Sequence, residues 1–307
     1  MVLRSLQESD QKGDSAVMTR LAIGLIRLVA LLPLPWVRCI GKLVGQAIWL
    51  AVGKRRVVVD ANLKACFPQL GQEQRGRMVR AVFEHFAQAW MDRGWLWHSS
   101  ERRLRKRLNL IGEESDIEIL RGNEPVVVFA PHFIGLDAGW TALALHLRRS
   151  LATLYTRQAN SGADAWVVQG RKRFGDVRLC QRLDGPKPLL ASLRNGSLLY
   201  LLPDMDFGPR DSVFVPFFGV ATATVTSLSR FAKLGRAKVV PVLAQMTPYG
   251  YDVRVMPAWP DFPSQDALAD TIQMNRWLEE QVLAIPEQYY WLHRRFKTRP
   301  PGEASIY

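Results

Sequence analysis

Val126-Val127-Val128-Phe129-Ala130-Pro131-His132-Phe133-Ile134-Gly135-Leu136-Asp137 decides the fold class. An apolar run that reads as a buried strand ends in a tight turn and passes into the opening of a helix. The alternation recurs down the chain. Short hydrophobic runs at Leu151–Tyr155, Leu198–Leu202, Val239–Ala244 and Tyr251–Val255 are separated by helical segments at about 138–149, 162–175, 187–195 and 222–235, with a last one near 266–284. Strands alternating with helices predict an α/β fold, with a central, mostly parallel sheet flanked by helices. In open sheets of this kind ligands sit beyond the carboxyl ends of the strands, so His132 stands where chemistry is usually done.

The acid at Asp137 follows His132 by five positions. Within one continuous helix, residues five apart point about 140° from each other and pair poorly. If His132 lies in the turn before the helix, Asp137 is able to fold back onto it, and a His–carboxylate dyad is expected. In such a dyad the carboxylate receives one ring N–H, and the other nitrogen acts as a general base. Gly-x-Ser-x-Gly is absent and no Ser or Cys is paired with the motif. The nucleophile that His132 activates is therefore expected to be a hydroxyl of a bound substrate. His85, His98 and His146 fall in predicted helices and read as structural; His293 lies in a basic tail.

Two further blocks end on the same sheet edge. Tyr155-Thr156-Arg157-Gln158-Ala159-Asn160 leads to Gly170-Arg171-Lys172-Arg173-Phe174-Gly175. Arg171 and Arg173 there suit phosphate or carboxylate capture, against the alternative of a solvated helix end. The second block runs Leu201-Leu202-Pro203-Asp204-Met205-Asp206-Phe207-Gly208-Pro209, then Phe214, Phe217 and Phe218 as an apolar wall. Asp204 and Asp206 have the spacing of a metal pair, but two acids alone are a weak signal. A substrate-binding role, orienting Arg171 or holding a sugar hydroxyl, is the expectation; no metal and no cofactor is expected. The stretch Tyr289-Tyr290-Trp291-Leu292-His293-Arg294-Arg295-Phe296-Lys297-Thr298-Arg299 interleaves aromatics with cations, the composition of a membrane-interface belt, a stacking platform, or a structural tail.

Across 307 residues, 41 Lys and Arg against 28 Asp and Glu give a net charge of +13, which implies an anionic partner or surface. Three widely spaced cysteines, Cys39, Cys66 and Cys180, form neither a disulfide framework nor a zinc pattern. Residues 1–17 read as a polar tail, 18–56 as a membrane-associating helical segment and 57–307 as the catalytic domain. Within 18–56, apolar stretches from Leu21 to Val37 and Leu43 to Gly53 suggest a marginal span or two helices lying in the interface, with Arg20, Arg27, Arg38, Lys42 and Lys54-Arg55-Arg56 meeting lipid phosphates. The alternative is a buried helix pair. Residues 72–98 have the apolar period of one long helix, and five cations within 101–107 make either a solvated face or a ridge that docks an anion.

Together these blocks resemble the bacterial late (secondary) acyltransferases of lipid A biosynthesis, which add lauroyl or myristoyl chains from acyl carrier protein to Kdo-bearing lipid A precursors. The resemblance runs from Asn62-Leu63 and Cys66-Phe67-Pro68 to Trp291–Pro300. The His-x4-acid motif is shared by glycerolipid acyltransferases at large. The narrower likeness rests on Pro203-Asp204-x-Asp206-x-Gly208-Pro209, Phe214-Val215-Pro216-Phe217-Phe218 and His293-Arg294-Arg295-Phe296-Lys297. Asn160-Ser161 departs from the Asn-Pro often found there. The resemblance implies that His132 and Asp137 are the catalytic dyad, that Arg171 steadies the oxyanion, and that transfer is direct, with no acyl-enzyme. Implied partners are an acyl carrier protein thioester, a lipid A precursor, and anionic lipid of the inner membrane, with the catalytic domain on its cytoplasmic face; from the charge distribution we expect the carrier protein to dock on 101–107. Rival readings change the acceptor to a lysophospholipid, ornithine lipid or other glycolipid, or make the protein a non-catalytic lipid binder; nucleic-acid binding has no recognisable module behind it.

Overall fold

A computed structural model describes residues 17–307 of the chain. Apart from Val17, the expected polar tail lies outside the described residues. Helices α1 (residues 17–29), α2 (Leu34–Ala51), α3 (Gly53–Cys66), α4 (Gln72–His98) and the short α5 (Glu101–Arg105) precede the alternating part. Next come β1 (Leu108–Ile111), α6 (Glu114–Arg121), β2 (Val126–Phe129), α7 (Leu136–Leu147), β3 (Leu151–Tyr155), α8 (Ser161–Arg171), β4 (Val177–Gln181), α9 (Lys187–Arg194) and β5 (Leu198–Leu201). A hairpin of β6 (Ser212–Phe217) and β7 (Val220–Val225) leads to α10 (Ser227–Gly235), β8 (Lys238–Thr247), β9 (Gly250–Val255) and α11 (Ala267–Ala284).

The main sheet has seven strands in the order β1-β9-β8-β2-β5-β3-β4, parallel throughout except for the β8–β9 hairpin. The expected α/β class is what forms. Strand β2 shows why both faces are covered. Val126 and Val128 join the core beneath α4 and α7, whereas Val127 and Phe129 join a second core beneath α9 and α10. A strand buried on both faces must be apolar at every position, which is the pattern that made it legible.

Three expectations need correction. The helix expected over 222–235 starts only at Ser227, because Val220–Val225 pair antiparallel with Ser212–Phe217. Thr222, Thr224 and Val225 are β-branched and favour the pleated state. The helix over 162–175 stops at Arg171. The C-terminal aromatic stretch is neither a belt nor a platform: Tyr289, Trp291, Arg295 and Phe296 are all buried, the three aromatics in a core shared with α3, α4 and Phe217 of β6. Arg295 is held by the Thr222 and Thr224 hydroxyls and the Ala223 carbonyl.

The amino-terminal helices are half core, half exposed. Pro33 and Pro35 begin α2 rather than interrupting a span. Gly41 and Gly45 let α4 come close: a Cβ on either would meet backbone atoms of α4 at 2.8 Å or less. Behind them, Arg38 makes a buried ion pair with Asp92, whose carboxylate also accepts from Trp95 and Tyr251. On the outside, Leu21, Leu25, Leu28, Leu31, Trp36 and Leu43 are each more than half exposed. Among the described residues no helix is long and apolar enough to cross a membrane.

Candidate active site

The site is built by two neighbouring parallel strands. Phe129 at the end of β2 pairs with Leu201 at the end of β5, and the ladder continues through the Ala130 amide to the Leu201 carbonyl at 2.9 Å. Each strand then passes through a proline to its polar residue: Ala130-Pro131-His132 on one, Leu202-Pro203-Asp204 on the other. Because the strands end in register, the third residue beyond one meets the third residue beyond the other. His132 Nδ1 lies 2.7 Å from Asp204 Oδ1, and the His132 amide donates to Asp204 Oδ2 at 2.9 Å. The Tyr289 hydroxyl donates to the same Oδ2 at 3.1 Å.

The carboxylate on His132 is thus Asp204, and the expected His132–Asp137 hydrogen bond does not form. Gly135, before the helix, has no room for a side chain: a Cβ would sit 2.4 Å from the Ala244 carbonyl oxygen of β8. The turn is pressed against the sheet there, and Asp137, in the first turn of α7, is directed to α4 and α8. It accepts from Arg93 Nε at 2.8 Å and from Arg171 Nε at 2.9 Å. Burial by itself pushes the Asp137 carboxyl pKa up, but the Arg171 and Arg93 charges and hydrogen bonds together outweigh it and hold it at about 2. For Asp204, burial again pushes upward, and the His132 charge and hydrogen bonds carry the balance downward.

Asp137 is therefore a clamp on two guanidinium groups. Each uses its Nε on the carboxylate and keeps its Nη ends without a hydrogen-bond partner among the described residues. Arg93 stacks on Trp90, 3.9 Å from the ring centroid, and Arg171 lies over Tyr155 at 5.6 Å. Gly170 admits Arg171 to this position: a Cβ there would lie 2.2 Å from the Trp97 ring.

The other expected site residues go elsewhere. Arg173 donates to the Leu96 and Ser99 carbonyls at the end of α4, so it caps that helix while also lining the groove described below. Asp204 and Asp206 are sealed from solvent, which removes both from contact with a sugar. Asp206 accepts from the Gly208 and Thr298 amides and the Thr298 hydroxyl, and so ties the post-β5 turn to the C-terminal stretch. Phe217 is core, whereas Phe214 is partly exposed. Of the five cations in 101–107, Arg103 is engaged by the Ala30 and Leu32 carbonyls, Arg105 by Glu101 and Leu145, and Arg107 lies over Trp95. Arg102, Arg105 and Lys106 remain exposed on that ridge.

The C-terminal stretch closes over the dyad. The Tyr290 amide donates to the His132 carbonyl at 2.9 Å and its ring stacks beside the imidazole, centroids 6.5 Å apart. Arg55, read from the sequence as a lipid-facing cation, is exposed and donates to the Leu292 carbonyl. A groove of about 970 Å³ lies between α1, the end of α4 and the end of α8, with Leu28, Leu31 and Trp97 as apolar wall and Arg27, Lys172 and Arg173 at its polar side. Trp97 is also under the Arg93 guanidinium, 5.5 Å from its ring centroid, so the groove and the cation clamp share a wall.

Comparison with known proteins identifies the family. Residues 13–298 match the family described as bacterial lipid A biosynthesis acyltransferase. The chain belongs to that family. It is 32% identical over 293 residues to the lipid A biosynthesis lauroyltransferase of Escherichia coli (strain K12), covering 94% of each chain. The lipid A biosynthesis myristoyltransferase of the same organism is 33% identical over 256 residues, 83% of this chain and 78% of its own. The palmitoleoyltransferase of that strain is 29% identical over 296 residues, 94% of each. The protein is accordingly a lipid A biosynthesis acyltransferase, as the sequence resemblance implied. Sequence reading missed Arg93, hidden in a helix that looked like scaffold. The role of Asp204 had a signal: two strand ends carrying Pro and then a polar residue at the same offset.

Proposed function

We propose that the protein transfers a fatty acyl chain from an acyl carrier protein thioester to a hydroxyl of a Kdo-bearing lipid A precursor, with His132 as general base and no acyl-enzyme. The observation that carries this reading is the orientation of His132. Its Nδ1 is committed to Asp204, its side chain is 21% exposed, and Nε2 has no partner among the described residues. An imidazole with Nδ1–H given to a carboxylate holds its lone pair on Nε2. Nε2 takes the proton of the acceptor hydroxyl, and the oxygen attacks the thioester carbon. The tetrahedral oxyanion then collapses, the C–S bond breaks, and the thiolate recovers the proton from the imidazolium. Asp204 stabilises that imidazolium. Arg93 and Arg171, set by Asp137, supply positive charge toward the oxyanion and the substrate phosphates. A chain of about twelve carbons gains on the order of 9 kcal/mol on burial at ~0.8 kcal/mol per methylene, and the groove beside Trp97 is the volume we assign to hydrocarbon.

The exposed leucines of α1 and α2, flanked by cations, are the surface we assign to the cytoplasmic face of the inner membrane, lying in the interface with anionic lipid rather than spanning it. The segments 18–56 and 57–307 would then divide the work into docking and catalysis. The test is an assay of purified protein with defined acyl carrier protein thioesters and a panel of lipid acceptors, for wild type and His132→Ala. The expected result is acylation of the lipid A precursor and a loss of several orders of magnitude in the variant without unfolding. Turnover retained by His132→Ala would sink the proposal; a lysophospholipid or ornithine lipid acylated in preference would move it to that acceptor.

A further inference from the structure

The stretch whose Tyr290 amide meets the His132 carbonyl carries, three residues on, a second imidazole that the proposed mechanism does not use. His293 is carried by the C-terminal stretch and held on three sides. Its carbonyl accepts from Asn62 Nδ2 at 2.8 Å, its amide donates to the Tyr290 carbonyl, and its ring Nε2 lies 3.2 Å from the amide nitrogen of Asp206. The last contact fixes the tautomer. A backbone amide only donates, so Nε2 must be the bare nitrogen and the ring proton must sit on Nδ1. That Nδ1–H has no partner among the described residues, and it is not one of the polar atoms sealed inside the protein.

The ring is also prevented from taking a second proton. Burial first, then the charge that His132 carries when protonated and the Arg295 charge, push its pKa down to about 4, and the carboxylates of Asp206 and Asp204 oppose this only in part. A neutral imidazole held in this way can neither remove a proton, its bare nitrogen being occupied, nor readily give one up. What it offers is one directional N–H, positioned before substrate arrives. Such a donor matches an oxygen that becomes anionic during the reaction better than one that is neutral throughout.

We propose that His293 is a catalytic residue: its Nδ1–H hydrogen-bonds the thioester carbonyl oxygen as that oxygen becomes the oxyanion, while Arg93 and Arg171 contribute charge from the other side of the clamp. No bond to His293 is made or broken and no proton leaves it. The proposal rests on the acyl-transfer reading of the same site.

Two isosteric variants separate the two nitrogens. His293→Gln can return an oxygen to the Asp206 amide but places no donor near Nδ1; His293→Asn places an amide N–H near Nδ1 and leaves the Asp206 amide unmet. With full-length protein in detergent, an acyl carrier protein thioester and the lipid A precursor, Gln is expected to lower kcat by about 10²–10³-fold, with both KM values within about threefold and the melting temperature unchanged. Asn is expected to recover at least about tenfold over Gln. A wild-type kcat in Gln, an Asn variant no faster than Gln, or a loss confined to KM overturns the proposal. A measurement on the unaltered protein stands beside these: ¹⁵N spectra should show His293 protonated at Nδ1 alone from about pH 5.5 to 8. That proton should move downfield when an acyl trifluoromethyl ketone binds together with the lipid A precursor, whose hydroxyl adds to the ketone; a proton found on Nε2, or one that ignores this ternary complex, refutes it. If wild type fails to acylate the precursor, the donor and acceptor reading is what fails; if wild type turns over, His132→Ala does not, and His293→Gln keeps full rate, only this inference fails.

Discussion

Replacing Asp204 with Asn preserves shape and removes one charge, and the hydrogen-bond pattern dictates the response of the imidazole. Oδ2 receives two donors, the His132 amide and the Tyr289 hydroxyl, so the amide oxygen of Asn must occupy that corner. The NH₂ group is then forced to the Oδ1 corner, facing His132 Nδ1 at 2.7 Å. Two N–H groups cannot share that contact, so the ring proton moves to Nε2 and the base we propose loses its lone pair. Where a hydrolase aspartate that orients a catalytic histidine is replaced in this way, turnover falls about 10⁴-fold. We expect a loss of about 10³–10⁴-fold in kcat, or about 4–5.5 kcal/mol of transition-state stabilisation at 1.36 kcal/mol per decade. The assay is steady-state acyl transfer by the folded variant, joined to ¹⁵N spectra of the imidazole: Nδ1 protonated in wild type, Nε2 protonated in Asp204→Asn. Asp137→Asn, in contrast, should keep the Nδ1 proton whatever it does to rate. Asp204→Asn within tenfold of wild type, or Asp137→Asn showing the tautomer change instead, would refute the pairing.

Acid should weaken the fold through the arginine clamp. Asp137 has a folded pKa of about 2 against 3.8 for the free side chain, so its contribution is complete above pH 4 and disappears as pH falls through 2; the difference is about 2–3 kcal/mol. Denaturant titrations from pH 5 to pH 2 should show a flatter acid limb in Asp137→Asn; identical limbs would contradict the assignment. For the membrane surface we propose, Leu21, Leu25 and Leu28 replaced together by Ser should abolish flotation with anionic vesicles while leaving the melting temperature within a few degrees, since all three lie more than half exposed. Flotation unchanged in that triple variant would place the docking surface elsewhere.

Much of the architecture was legible in the residues because strands buried on both faces have no polar position to obscure them, as β2 and β5 show. The hairpin Ser212–Val225 was harder: Thr222 and Thr224 look like the polar side of a helix until Arg295, distant in sequence, supplies the partner for their hydroxyls. The site divided in the same way. His132 announced itself by its place at a strand end, but its carboxylate was assigned to the nearest acid in the chain. Pairing across 72 residues depends on strand order and register, which a run of apolar residues does not encode. The cations misled for a related reason. Arg103, Arg105 and Arg173 look solvated in a charge count, yet each finds main-chain carbonyls once α1, α4 and α7 are packed.

The C-terminal stretch carries a consequence for how the molecule is made. Tyr289 donates to Asp204, Thr298 secures Asp206, and Tyr290 stacks on His132, yet all three leave the ribosome well after both strands they serve. A nascent or carboxy-terminally clipped polypeptide therefore has both strand tips but lacks the strap that sets their chemistry. Such a molecule should be inactive in acyl transfer, so an unfinished copy does no chemistry before it is whole.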